Sequence, residues 1–220
     1  MLAYKFLDPG GIGPYSGFSW PLPTGESAGA WVETAGALDL CRNGLHACRV
    51  AQLPYWWGAE LWEVELAEPI HDAGHVTVAG RGRLLRQVHS WDEAMMRHYV
   101  GACAWRTRDH GVEQLHAVGL DTAADVLGGC ATLDALAAAA TSLAAALADQ
   151  ATAAIISYVA DTALWATASM AFAKTVSYVA AHAAGCVGGP EGHPEFARRY
   201  HAERRWQSRW LAQHLQLATT

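Results

Sequence analysis

Cys41, His46 and Cys48 bring two thiols and an imidazole into one short run, the residue types that ligate zinc or pair as nucleophile and base. As a metal site, the spacing C-x4-H-x-C matches no standard finger or knuckle and lacks a fourth ligand. The fold would have to supply His71, His75 or Cys103. No metal or other cofactor is therefore assigned, and zinc on Cys41, His46 and Cys48 is kept as the alternative. As a catalytic pair, His46 and Cys48 stand two apart on an extended segment, sharing a face without the reach for a hydrogen bond. The simpler expectation is two buried cysteines flanking a turn, with His46 bonded to a backbone carbonyl.

Aromatic residues follow directly. Tyr55, Trp56 and Trp57 are adjacent and Trp62 is close behind, in a chain with ten Trp. Large rings bury much area as core and equally wall a pocket. A pocket walled by Trp56, Trp57 and Trp62, floored by His46 and given a hydroxyl by Tyr55, suits a planar or apolar small molecule or a peptide. Glu63 and Glu65 join His46, Tyr55 and His75 as candidate acid–base groups. His71 and His75 form H-x-x-x-H, which binds metal best on a helix. Gly74 between them makes this stretch a hairpin loop, where solvated histidines are the plainer expectation.

These side chains need elements to position them. Trp62, Val64 and Leu66 alternate with Glu63 and Glu65, a strand with one apolar and one acidic face. Pro69 should end its pairing, since it donates nothing to a ladder. Asn43-Gly44 signals a turn, from which Leu45 to Arg49 leaves as a short extended segment. Leu2 to Leu7, Phe18 to Trp20, Trp31 to Thr34, Val76 to Val78 and Arg81 to Val88 read as further strands, with the hairpin turn at Asp72 to Gly74. Asp8 to Pro14 is turn-rich and lacks a phosphate-binding spacing.

Ser90 and Glu93 form a capping box that should start a helix from Trp91 to about Arg106, with an inner stripe of Trp91, Met95, Tyr99, Ala102 and Cys103. Asp109 to Gly111 should close it. Asp121 caps a short helix stopped by Gly128-Gly129, and Thr132 caps the next. Leu133 to Ala184 contains neither Gly nor Pro. As one helix it would be about 78 Å long, so breaks are expected near Asp149-Gln150 and within 167–175. Ser157-Tyr158-Val159-Ala160 recurs as Ser177-Tyr178-Val179-Ala180, which reads as a repeated packing unit whose Tyr fills gaps between small faces. Gly185 caps this array and Pro194 opens the last helix. That helix carries Arg198, Arg199, Arg204, Arg205 and Arg209 against Glu195 and Glu203, a basic face read as solvated.

Composition narrows the classes. At 220 residues, 52% hydrophobic and 16% charged, the chain can bury a core and is not disordered. A net charge of −6 argues against nucleic acid as a partner. Five Cys, and an N-terminus without the apolar segment of a signal peptide, point to a reduced cytoplasmic setting. The Ala-rich stretch is interrupted by Asp149, Asp161, Lys174 and His182, so it reads as a packed helical layer and no membrane partner is expected.

The motif C-x-x-G-L-H-A-C (Cys41 to Cys48), the LWEVEL strand, GRLLRQV with SWDEA (Gly82 to Ala94), the Ala-rich array and WQSRWL (Trp206 to Leu211) occur in an order that resembles a family of uncharacterised actinobacterial and phage-associated proteins. The resemblance covers most of the chain. It implies a β-rich front joined to an Ala-rich helical region, and it implies no activity. A fainter similarity is to ADP-ribosyltransferase-like folds, which place an acidic residue on a strand as Glu63 or Glu65 is placed here.

The expected fold is α+β, with a mostly antiparallel β region (1–89) packed against an Ala-rich helical region (90–220) in a single domain with one shared core. Three functions fit. The first is an aromatic-lined pocket that binds a small molecule or peptide, with or without modifying it. The second is an interaction module, homodimeric or with another partner, using the Ala-rich helices and the basic last helix. The third is an ADP-ribosyltransferase-like transferase.

Overall fold

The computed structural model describes residues 1–40, 42–168 and 173–218. The fold is α+β, as the sequence indicates: an antiparallel sheet from the N-terminal part of the chain, followed by helices. The chain divides into two compact units, one of residues 1–93 together with the segment from Ser208 onward, the other of residues 94–207.

In the first unit β1 (Leu2–Leu7) pairs with β4 (Glu60–Asp72), and β4 pairs with β5 (Thr77–Gln87). Along the far edge of β5, β3 (Leu45–Ala47) pairs with its first residues and β2 (Val32–Glu33) with its middle. The sheet then curls back on itself. Just after β3, Cys48 exchanges two backbone bonds with Tyr4 of β1: Tyr4 N–H donates to Cys48 O at 2.7 Å, and Cys48 N–H to Tyr4 O at 2.6 Å. The inner face carries the core of Ala3, Leu7, Trp20, Leu45, Ala47, Trp62, Val64, Leu66, Ala79 and Leu84.

Several boundaries differ from expectation for clear physical reasons. Pro69 does not end β4. Pairing slips between Ala67 and Ile70, where Pro69 lies against Gly80 of β5, and then resumes to Asp72. The bulge absorbs the donor that proline lacks. The two strands expected at Val76 to Val78 and Arg81 to Val88 merge into one, β5 (Thr77–Gln87), because the small Ala79 and Gly80 between them continue the ladder. Phe18 to Trp20 is not a strand; Ser19 makes a single bridge to Ile12. Asn43-Gly44 does turn the chain into β3. Gly44 has φ +135°, and a β-carbon there would meet Val78 Cγ1 at 2.3 Å, so only glycine fits.

In the second unit, α1 (Glu93–Ala117) starts two residues later than expected and runs straight through Asp109 to Gly111. Gly111 is an approach point: a β-carbon would lie 2.8 Å from Val159 Cγ2 and 3.2 Å from Ile156 Cδ1. Its inner stripe is set by Met96, Tyr99, Val100, Cys103, Ala104, Thr107, Gly111 and Leu115, while Met95 and Ala102 are only half-buried. Next come α2 (Asp121–Gly128) and α3 (Leu133–Ala146), the latter capped by Thr132, whose hydroxyl accepts from Ala135 N–H at 3.2 Å. The expected break at Asp149-Gln150 is present. α4 (Gln150–Ala168) begins there, with Asp149 Oδ2 accepting from Thr152 N–H at 2.8 Å. The break expected within 167–175 falls at 169–172, outside the described residues. α5 (Ala173–Val187) includes Gly185, which ends nothing; it is buried, with the Phe196 ring 2.7 Å from where a β-carbon would sit. Pro194 opens α6 (Pro194–Leu215) as expected, its residues from Ser208 onward belonging to the first unit.

The Ser-Tyr-Val-Ala pair is not a packing repeat. Val159 is buried and Ser157 half-buried in the first copy, whereas in the second Ser177 is buried and Tyr178 is 51% exposed. A different neighbour environment, a buried polar one at Ser177, turns the second copy on its helix axis. Tyr99 and Ser177 hydroxyls bond at 3.0 Å, Arg204 Nη1 donates to Ser177 Oγ at 3.1 Å and to Gln207 Oε1 at 3.0 Å, and Gln207 Nε2 donates to Ser177 O at 2.8 Å. The last helix is therefore no simple solvated basic face: Arg204 is buried, Arg199 pairs with Glu113 at 2.6 Å, and Arg198 pairs with Glu195. Among the described residues no helix is long and apolar enough to cross a membrane.

The approach at Gly111 has a measurable cost of disruption. Gly111→Val should lower the unfolding free energy by about 1–3 kcal/mol, the range for overpacking a filled interior. Urea denaturation of the two proteins checks this, and equal midpoints would remove the close-approach role.

Candidate functional site

The closure at Cys48 decides what meets in the first unit. β1 is buried on both faces. Tyr4 and Phe6 are buried on one, and Ala3 and Leu7 lie in the core on the other. Alternation puts Lys5 on the second face, between Ala3 and Leu7 and paired across the sheet with Trp62, itself a core residue. A lysine at such a position is costly, because an ammonium loses hydration there.

Its surroundings do little to offset that. Lys5 Nζ donates to the backbone oxygen of His46 at 2.5 Å and sits 5.2 Å from the centre of the Trp20 ring. Among the described residues no carboxylate pairs with it. Loss of hydration lowers its pKa to about 8, with the nearby Cys48 working weakly in the other direction. The Cys48 thiol is buried and is pushed up to about 12 by the same desolvation, offset in part by Lys5, so it is a neutral thiol at physiological pH. His46 is held below its ordinary value, first by burial and then by the Lys5 charge, against a raising hydrogen bond to Gly44. That bond joins Nδ1 to Gly44 O at 3.1 Å. Since a carbonyl only accepts, Nδ1 carries the proton and Nε2 is the basic nitrogen.

These groups line one recess of about 60 Å³. Its wall is built from Lys5, Phe6, His46, Ala47, Cys48, Trp56, Trp57 and Val76, with Pro14 and the exposed Tyr15 at the rim. That volume takes a head group of a few heavy atoms, since one water needs roughly 10–15 Å³ on the same measure.

The aromatic wall hangs from a 3-10 turn, Val50–Tyr55, whose position depends on Gln52. The Gln52 amide is buried and uses both ends. Its oxygen accepts from Arg49 N–H at 2.8 Å and from the Thr77 hydroxyl at 3.0 Å. Its nitrogen donates to Asp72 Oδ1 at 2.8 Å and to Gly74 O at 3.2 Å. Asp72 also accepts from Gly74 N–H at 3.0 Å and pairs with Arg49, so the turn is tied to the end of the β4–β5 hairpin. Trp57 packs edge-on against Trp91 at 5.0 Å, and Trp91 Nε1 donates to Gly58 O at 3.1 Å. Trp56 Nε1 donates to His75 O at 2.7 Å, and its ring stacks on the His75 imidazole at 6.3 Å.

Of the residues singled out from sequence, the structure brings His46, Cys48, Trp56 and Trp57 to the recess. Tyr55 and His75 pack together at 6.4 Å, next to Trp56 but not in the lining. Trp62 lies in the sheet core, where its Nε1 donates to Glu60 Oε2 at 2.8 Å. Glu63 and Glu65 are on the opposite face of β4 from Trp62, held by bidentate Arg86 at 2.5 and 2.7 Å and by Arg83 at 2.7 Å. Their alternation is as the sequence indicates, and it takes them away from the recess. Cys41, one of the zinc candidates, lies outside the described residues. Among those described, no three His, Cys, Asp or Glu side chains gather as a metal site would require. Sequence reasoning missed Lys5 and Gln52. The signal for Lys5 was its place between Ala3 and Leu7, at i±2, on a strand whose other face is also apolar.

Compared with protein-family models, curated proteins and solved structures, the chain has no match.

Replacing Gln52 tests whether it carries the wall. Gln52→Leu keeps the shape but strands the buried Thr77 hydroxyl and the Arg49 N–H, at an expected cost of about 2–3 kcal/mol. It should also increase acrylamide quenching of tryptophan fluorescence. Unchanged stability and quenching would show that the turn is held by other contacts.

Proposed function

We propose that the protein binds a small molecule, or the side chain of a peptide, in the recess beside Lys5, and acts in the cytoplasm. The supporting observation is the convergence of Trp56, Trp57 and Phe6 with a lysine ammonium that has no carboxylate partner. Apolar walls with a few convergent polar groups and perturbed titrations are the usual make-up of a ligand site. The ligand's polar head would enter toward Lys5 and His46, and its planar or apolar body would lie across the indoles toward Tyr15. The four described cysteines are free thiols, which fits a reducing compartment.

The other two readings have less support. Arg198, Arg199 and Arg204, which would belong to a basic docking face on α6, already have partners within the chain. For a transferase of the ADP-ribosyl type, Glu63 and Glu65 would have to leave their arginines to face a substrate.

Benzyl alcohol, an aromatic ring with a small polar head, is a direct probe. Saturation-transfer NMR should show it bound to the wild type, with the signal reduced at least about fivefold in Trp57→Ala, the effect of losing roughly 1 kcal/mol of contact. His46→Ala should abolish the signal while leaving the melting temperature unchanged. Equal signals in wild type and both variants would place the binding elsewhere and overturn the proposal.

A further inference from the structure

We infer that Lys5 is a covalent anchor for carbonyl compounds: its amine condenses with an aldehyde whose carbonyl enters the recess, giving an imine. This rests on the recess being a ligand site and goes beyond it by naming the reacting atom and the ligand class.

Geometry carries the argument. Lys5 is fixed at the root by β1, whose pairing with β4 runs through it, and at the tip by the His46 carbonyl at 2.5 Å. The amine is thus held at one place in a recess walled by rings rather than sweeping through solvent. The titratable side chains that share the recess with it are His46 and Cys48, both from the segment that closes on β1 and neither negatively charged at neutral pH, and Tyr15 at the rim. A structural lysine is normally neutralised by a carboxylate or extended into water; this one is half-buried, its ammonium on a backbone carbonyl with no carboxylate beside it among the described residues. The result is a larger share of free amine near neutrality, on the order of a hundredfold more than for an ordinary lysine. Desolvated lysines in apolar pockets are activated for Schiff-base formation in this way.

The step balances without any added reagent. The lone pair of the neutral amine attacks the carbonyl carbon, a C–N bond forms, and the π electrons move to oxygen, which takes a proton. The resulting carbinolamine loses its hydroxyl group and the remaining nitrogen proton as water, leaving a C=N bond. Nothing is oxidised or reduced. The recess of about 60 Å³ takes the carbonyl group, and the rest of the ligand rests on Trp56 and Trp57. Bulky ketones should react poorly for the same reason.

The chain contains an internal control. It has two lysines, and Lys174 is exposed on α5. Full-length protein is incubated with benzaldehyde and cyanoborohydride, which traps an imine as a stable benzyl amine, and each site is quantified by peptide mass spectrometry. At pH 7 Lys5 should be benzylated at least about tenfold faster than Lys174. The Lys5 rate should rise with pH to a plateau with a midpoint near 8. Lys5→Arg keeps the cation and should abolish only the adduct at that position. Trp57→Ala should slow the reaction at Lys5 and leave Lys174 unchanged.

Equal rates at the two lysines, or a Lys5 midpoint close to that of Lys174, would overturn the inference. Benzyl alcohol distinguishes the two ways of failing. If it binds and Lys5 is not trapped, the recess holds ligands without covalent chemistry. If it does not bind and Lys5 is not trapped, both the site and its chemistry are lost.

Discussion

A pair of backbone hydrogen bonds between Tyr4 and Cys48 sets the character of the first unit. Without it the sheet would be open, and the segment leaving β3 would run past β1. With it, the segment is laid alongside β1, and His46 and Cys48 come to stand next to Lys5. The same closure pairs β1 along both of its edges, while packing on either side buries Tyr4 and Phe6 on one face and Ala3 and Leu7 on the other. Side-chain alternation then turns Lys5 to the face of Ala3 and Leu7, where it is half-buried at the recess. The unusual chemistry of the recess is thus a consequence of main-chain geometry, and the charged residue is exposed to its cost by the fold around it.

The aromatic wall depends on a different device. A 3-10 turn has too few internal hydrogen bonds to hold large rings in place. Gln52 supplies what the turn lacks, by satisfying donors and acceptors from the turn, the hairpin end and β5 at once. A buried amide whose groups are all paired rigidifies its surroundings, while a partly paired one would be a liability. Trp57 is braced in turn by Trp91, and Trp56 by the His75 carbonyl. The wall is therefore positioned from behind, leaving its front to the recess.

The helical unit relies on small residues and on buried polarity. Ala, Gly111 and Gly185 let neighbouring helices and the Phe196 ring approach closely, and interior packing gains from that density. Ser177, Arg204, Gln207 and Tyr99 satisfy one another inside it. Glu203 is similarly buried. Loss of hydration pushes its carboxyl up, yet hydrogen bonds from His110 and from Arg106 at 2.7 Å outweigh this and hold it below the usual range. Its folded pKa being depressed, that contribution to stability is present at neutral pH and is lost as pH falls through the folded value. Two charges that read from sequence as surface residues are in fact structural.

What the sequence determined by itself was local. Alternation at Trp62, Val64 and Leu66 set the inner face of β4, Asn43-Gly44 the turn into β3, Thr132 and Asp149 the helix starts, and Pro194 the last helix. Each of these signals acts within a few residues, so each is legible without knowing the neighbours. The sequence also marked His46, Cys48, Trp56 and Trp57, because reactive and aromatic types concentrated in one run. Only the tertiary structure could decide the rest. It separated Trp62, Glu63 and Glu65 from that run, since a strand sends successive side chains to opposite faces and the far face of β4 belongs to arginines. It carried α1 through Gly111, because a glycine that reads as a stop serves equally as an approach point when another helix lies against it. And it brought Lys5, 41 residues from His46, to the recess. A lysine between Ala and Leu carries no warning of burial until a second segment closes over it, and that closure is a property of long-range pairing.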